Sequence, residues 1–243
     1  MKQRWGQFLV AVALLFPLLV QAQKQPEHTE SAQEQAVRQA FEKYFPEIEL
    51  AGVRATSFAN LFELQVGREL LYTNGEAEFI FQGALLDSKT RQDLTEASLQ
   101  DLNKMAIEDF PLDKAIKLVK GDGSRKVVVF EDPNCPFCKR MHKTLDEVSN
   151  VTIYSMMMPI LSPDSRTTAE YLWCADDPAK ALNDWMLHDK KPVAKTCDNP
   201  LDELLALGQS LGIRGTPASY FSNGQMMSGW MPADQLNAML DQK

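Results

Sequence analysis

Cys135 and Cys138 carry the chemistry most directly readable in this chain. They lie in the stretch Glu131-Asp132-Pro133-Asn134-Cys135-Pro136-Phe137-Cys138-Lys139. It follows Val127-Val128-Val129-Phe130, a continuous apolar run that predicts a strand buried on both faces. A helix is expected to open at the cysteines. Pro136 suits its first turn, where a missing N–H costs nothing. Cys135 then sits at the helix N-terminus and Cys138 one turn later on the same face, close enough for a small-ring disulfide. The unpaired N–H groups and the positive end of the helix dipole favour an anionic sulfur at Cys135. Lys139 and Arg140 are expected to add to that bias. A thiolate is the attacking species in disulfide exchange, so Cys135 reads as the attacker and Cys138 as the resolver.

Other readings of the pair are open at this level. A lone CxxC can be half of a zinc site, yet structural zinc wants four suitably spaced ligands. His142 is a third candidate ligand, and a surface helix histidine is its blander explanation. The pair could also be an inert disulfide. The other two of the four cysteines, Cys174 and Cys197, form no second CxxC. In an oxidising compartment they are expected to form a structural disulfide whose loop closure contributes about 3 kcal/mol; a second redox couple is the alternative. Gly215-Thr216-Pro217 precedes a strand at 218–221. It reads either as a strand-entry turn or as a cis-proline loop facing the cysteines, with Thr216 backbone groups free for an extended substrate. Met156-Met157-Met158-Pro159 and Met226-Met227 are candidate adaptable contacts, with at least half of these methionines expected in the strand core.

The chain has 243 residues, 25 Lys+Arg against 33 Asp+Glu, and 44% hydrophobic residues, the composition of a folded globular protein. Its net charge of −8 argues against a nucleic-acid binder. One long apolar run, Phe8–Val20, follows Lys2 and Arg4 and precedes Val20-Gln21-Ala22, the pattern of a secretory signal peptide over 1–22. The run is short for a bilayer span, and Pro17 weakens that reading further. Helical spacing of Val37, Ala40, Phe41 and Tyr44 behind Ser31 and Glu34 predicts a capped helix ending before Pro46. Strand-forming residues over 50–87 predict a small, mostly antiparallel sheet, with a hairpin joining 70–73 to 77–81 through Asn74-Gly75. A unit this small buries too little surface to stand alone, so a partner chain is expected. Residues 88–108 read as a polar connecting helix. A strand at 151–158, helices near 164–175, 178–188 and 201–211, a hairpin around Asn223-Gly224 and a final helix from Pro232 complete a three-layer α/β arrangement. Two domains are expected.

These residues resemble a known family. Val-Val-Val-Phe-Glu-Asp before Cys135-Pro136-Phe137-Cys138, then Trp173-Cys174-Ala175, Cys197-Asp198 and Leu211-Gly212-Ile213-Arg214-Gly215-Thr216-Pro217-Ala218, look like bacterial periplasmic disulfide isomerases of the DsbC/DsbG type. Leu70-Leu71-Tyr72 and Phe81-Gln82-Gly83 match that family's dimerisation domain. The resemblance implies an α/β fold: a thioredoxin-like domain with a helical insertion, preceded by a small α+β dimerisation domain and a linker helix. The corresponding boundaries are a signal peptide at 1–22, a dimerisation domain at 23–88, a linker helix at 89–110 and a catalytic domain at 111–243. It also implies a V-shaped periplasmic homodimer with an uncharged cleft, kept reduced by a membrane thiol reductant of the DsbD type. By position Cys135 is the nucleophile, Cys138 the resolving thiol, Thr216-Pro217 the cis-proline loop and Cys174–Cys197 the structural disulfide. The inner dipeptide, Pro136-Phe137, departs from the Gly-Tyr of the first type and is closer to the second.

The expected function is therefore rearrangement or reduction of incorrect disulfides in misoxidised exported proteins, with no cofactor, no metal and no nucleic acid. A holdase that grips unfolded chains, or a reductase of sulfenylated single cysteines, would share much of this sequence pattern.

Overall fold

A computed structural model describes residues 29–242. The expected signal segment lies outside them. The first unit begins with α1 (Ala32–Tyr44), closed by a capping box in which Glu34 N–H donates to Ser31 Oγ (3.3 Å) and Ser31 N–H to Glu34 Oε2 (2.7 Å). Its buried Val37 and Phe41 pack with Leu50, Val53, Phe62 and Leu64. The last three belong to an antiparallel sheet of β1 (Gly52–Ala55), β2 (Phe62–Val66) and β3 (Glu69–Thr73), in that order. Gly67, at φ 58°, supplies the left-handed residue that joins β2 to β3.

The hairpin expected at 77–81 is corrected. Tyr72 and Phe81 form one isolated bridge, and no strand spans Ala77–Phe81. Side chains take over the hydrogen bonds a ladder would use: Asn74 Oδ1 accepts from Glu78 N–H (2.9 Å), and Thr73 Oγ1 donates to Phe79 O (2.5 Å). Ala77 sits at φ 53°, outside strand geometry. The connecting helix is also shorter than 88–108. Asp87 accepts from Lys89 and Thr90 N–H, a turn that holds the chain until Asp93 caps α2 (Leu94–Leu102). No residue of α2 is fully buried.

The second unit runs β4 (Ile116–Lys120), β5 (Arg125–Glu131), α3 (Pro136–Glu147), β6 (Val151–Met157), α4 (Pro163–Trp173), α5 (Pro178–His188), α6 (Leu201–Ser210), β7 (Ala218–Phe221), β8 (Met226–Ser228) and α7 (Ala233–Leu240). Its sheet order is β4-β6-β5-β7-β8, with β5 and β6 parallel and the other pairs antiparallel. Strand β4 was not expected, although buried Ile116 and Leu118 alternate with exposed Lys117 and Val119, the pattern of a half-buried edge strand. Strand β5 is central. Val127 and Val129 join the core with α3, α5 and α7, while Val128 and Phe130 join Tyr220, Leu204 and Phe110 on the opposite face. That alternation makes three layers, with the C-terminal end of β5 aimed at the cysteines.

Candidate redox site

Strand β5 ends at Glu131, and Asp132-Pro133-Asn134 turns the chain into α3. Cys135 is the N-cap of α3, Pro136 is its first residue, and the Cys135 carbonyl accepts the first helical bond from Lys139 N–H (3.1 Å). Cys135 N–H donates to Asp132 O (3.0 Å), so the turn is closed beneath the cysteine. Both site cysteines are free thiols. Cys135 keeps 4% exposure and Cys138 none, which sets one sulfur at the surface edge and the other behind it.

The Thr216–Pro217 bond is cis. Its loop meets the helix start: Cys135 Sγ donates to Thr216 O at 3.3 Å. Burial, and then the negative charge of Glu131, push the Cys138 thiol well above its usual range. Cys138 therefore holds its proton at neutral pH, a property that suits a waiting thiol.

Glu131 is fully buried. Its carboxyl group bonds His142 Nε2 at 2.9 and 2.8 Å and accepts from Ser155 Oγ. His142 is thus neither a surface histidine nor turned to the cysteines; one helical turn beyond Cys138, it is buried against Glu131. Lys139 and Arg140, expected to bias Cys135, each have other partners. The Lys139 ammonium lies 3.8 Å over the Trp185 ring and is paired with Asp189, and the Arg140 guanidinium stacks at 3.4 Å on Trp230. These cations brace α3 against neighbouring elements. Trp185 also donates from Nε1 to Pro133 O (2.6 Å), tying α5 to the cysteine turn. Met156, Met157 and Met158 are all buried core and cannot contact a substrate, whereas Met226 and Met227 are half-buried. Phe137 is 57% exposed beside Cys135.

Cys174 and Cys197 form a disulfide that joins the C-cap of α4 to the segment before α6. Sequence reasoning did not single out Glu131, Asp132, Trp185 or Trp230. For Glu131 and Asp132 the signal was present: acidic residues directly after a fully apolar strand are either strand-end surface or paired in the interior.

A parallel β–α–β unit with two cysteines at the helix start and a cis-proline loop against them defines the thioredoxin-like class of thiol–disulfide proteins. Residues 112–243 match the model of a thioredoxin-like domain, and residues 28–96 match that of the disulfide bond isomerase protein N-terminal domain. The chain is 46% identical over 208 residues to a probable thiol:disulfide interchange protein DsbC of Bordetella pertussis, covering 86% of this chain and 74% of that protein. It is 26% identical over 201 residues to the thiol:disulfide interchange protein DsbC of Escherichia coli, covering 80% and 83%. A crystal structure of a disulfide interchange protein from Neisseria gonorrhoeae matches with a TM-score of 0.53 and 48% identity, covering 54% of this chain and 96% of that one. The chain belongs to the DsbC family of thiol:disulfide interchange proteins.

Proposed function

We propose that this protein rearranges or reduces incorrect disulfides in exported proteins in the periplasm, with Cys135 as nucleophile and Cys138 as resolving thiol. The observation that carries the reading is Cys135 Sγ at a helix start, on the cis-proline loop, with a proton-retaining Cys138 one turn behind. The Cys135 thiolate attacks one sulfur of a substrate disulfide, forming a mixed disulfide and releasing the other sulfur as a thiolate. Two exits exist. If a second substrate thiolate attacks the substrate sulfur of the adduct, Cys135 leaves reduced and the substrate disulfide has moved. If Cys138 loses its proton and attacks Cys135 Sγ, the substrate leaves as a thiol and Cys135–Cys138 is oxidised. The raised Cys138 proton affinity slows the second exit and favours rearrangement. After each reductive escape two electrons must return, and a membrane thiol reductant of the DsbD type fits that demand.

A homodimer fits the first unit. Phe79, Ile80, Phe81 and Leu86, in the segment that follows its three-stranded sheet, are exposed, an apolar surface out of keeping with an acidic monomer. Thr216 and Pro217 support an extended substrate beside Cys135, and Pro136 and Phe137 shape the approach. Replacing Cys135→Ala is expected to abolish refolding of a scrambled multi-disulfide protein. Unchanged refolding would overturn the reading in favour of a chain-gripping chaperone.

A further inference from the structure

Asp132 is fully buried, and the exchange chemistry gives it no task. Its Oδ1 accepts from Asn134 N–H at 2.8 Å, inside the cysteine turn. Its Oδ2 accepts from both Ile160 and Leu161 N–H at 2.9 Å. One carboxyl group therefore fastens the turn that presents Cys135 to the segment that leaves β6. A polar group this buried persists only when its hydrogen bonds are met, and here three backbone donors meet them.

The attachment changes what the second segment presents. Met156 through Pro159 are buried, and Met158 N–H still donates to Glu131 O (2.8 Å) in continuation of the β5–β6 ladder. Exposure then rises abruptly, to 39% at Ile160 and 54% at Leu161. The carboxyl group draws both backbone N–H groups inward, and the two aliphatic side chains remain in water. Phe137 stands exposed from the first turn of α3. Three large apolar side chains are thus held on two segments that share one anchor next to Cys135, on a protein with a net charge of −8. Exposed apolar clusters mark contact surfaces. Cysteines are among the most buried residues of folded proteins, so a chain whose disulfides are not yet correct still exposes, along with them, apolar residues destined for the core.

We propose that Asp132 is a positioning residue, and that the Ile160–Leu161 segment it holds grips, together with Phe137, the apolar residues flanking a disulfide in an unfolded polypeptide. This rests on the exchange reading above. The test uses the full chain and two single-disulfide peptides, one with leucines and one with serines beside its cysteines, reduced in the presence of excess glutathione. The parent is expected to show about a tenfold higher kcat/KM for the leucine peptide, the scale of burying part of two aliphatic side chains. In Ile160→Ser/Leu161→Ser that ratio should fall to near one, through KM rather than kcat. Asp132→Asn should also collapse it, because the amide turns an N–H toward backbone donors. If Asp132→Asn fails to fold, the double variant still decides, since both its side chains are exposed.

A ratio preserved in the double variant, or no preference in the parent, would overturn the proposal. So would a change in oligomeric state in the double variant, which would assign this surface to a second copy. A Cys135→Ala chain that still turned over both peptides would instead sink the exchange reading, and this proposal with it.

Discussion

At the scale of single residues, the site consists of two sulfurs in different surroundings. Cys135 stands at the helix N-terminus with a small exposed face, and Cys138 is enclosed. The thiol proton of Cys138 is held more tightly in the folded chain than in the unfolded one. The folded state then binds more protons than the unfolded state once pH passes the ordinary thiol value of about 8.5, so stability falls as pH rises. Relative to Cys138→Ala, the reduced parent should lose about 1.4 kcal/mol of unfolding free energy per pH unit above that value. Urea titrations of both chains between pH 7 and 10 measure it; parallel curves would show that the enclosure does not hold the proton. Cys135 and Cys138 were legible because spacing and residue type alone define them, whereas Gly215-Thr216-Pro217 read equally well as a strand-entry turn until the family resemblance assigned it as a cis-proline loop. The roles of Lys139 and Arg140 were not, because charge says nothing of partners: Asp189 and Trp185 lie in the helical insertion, and Trp230 lies near the C-terminus.

At the scale of elements, β5 and α3 are joined by more than the cysteine turn. Glu131 at the end of β5, His142 on α3 and Ser155 on β6 form one buried hydrogen-bonded group beneath Cys138. Replacing His142→Ala leaves a buried carboxyl group short of a partner. The expected cost is about 3 kcal/mol in urea denaturation of the reduced protein, and a cost below 1 kcal/mol would mean that water or Ser155 alone satisfies Glu131. The sequence disclosed elements whose pattern is local. The capping box announced α1, and the apolar run announced β5. It misread elements decided by tertiary partners. Residues 77–81 carry strand-forming side chains, but Asn74 and Thr73 bond their backbone instead, and Asp87 turns the chain before α2 can begin earlier. The methionine run was ambiguous for a similar reason. Alternation distinguishes one buried face from one exposed face, and every residue of β6 is buried.

At the scale of the whole molecule, a small unit with exposed aromatic residues just after its sheet accompanies a complete three-layer redox domain. The small unit should pair two copies through Phe79 and Phe81. Sedimentation at micromolar concentration is expected to give a dimer for the parent and a monomer for Phe79→Ser/Phe81→Ser; a monomeric parent would contradict the arrangement. Pairing would set two cysteine sites around one unfolded chain, a geometry suited to repeated attack on a tangled substrate. The chemistry at each site is tested most directly by trapping. In Cys138→Ala the thiol proposed to resolve the adduct is gone, Cys174 and Cys197 are already joined, and Cys135 is left as the free thiol. Incubated with a scrambled disulfide protein and mapped by mass spectrometry, this variant should accumulate a mixed disulfide at Cys135 that the parent resolves. No adduct, or one attached at any other cysteine, would contradict the account.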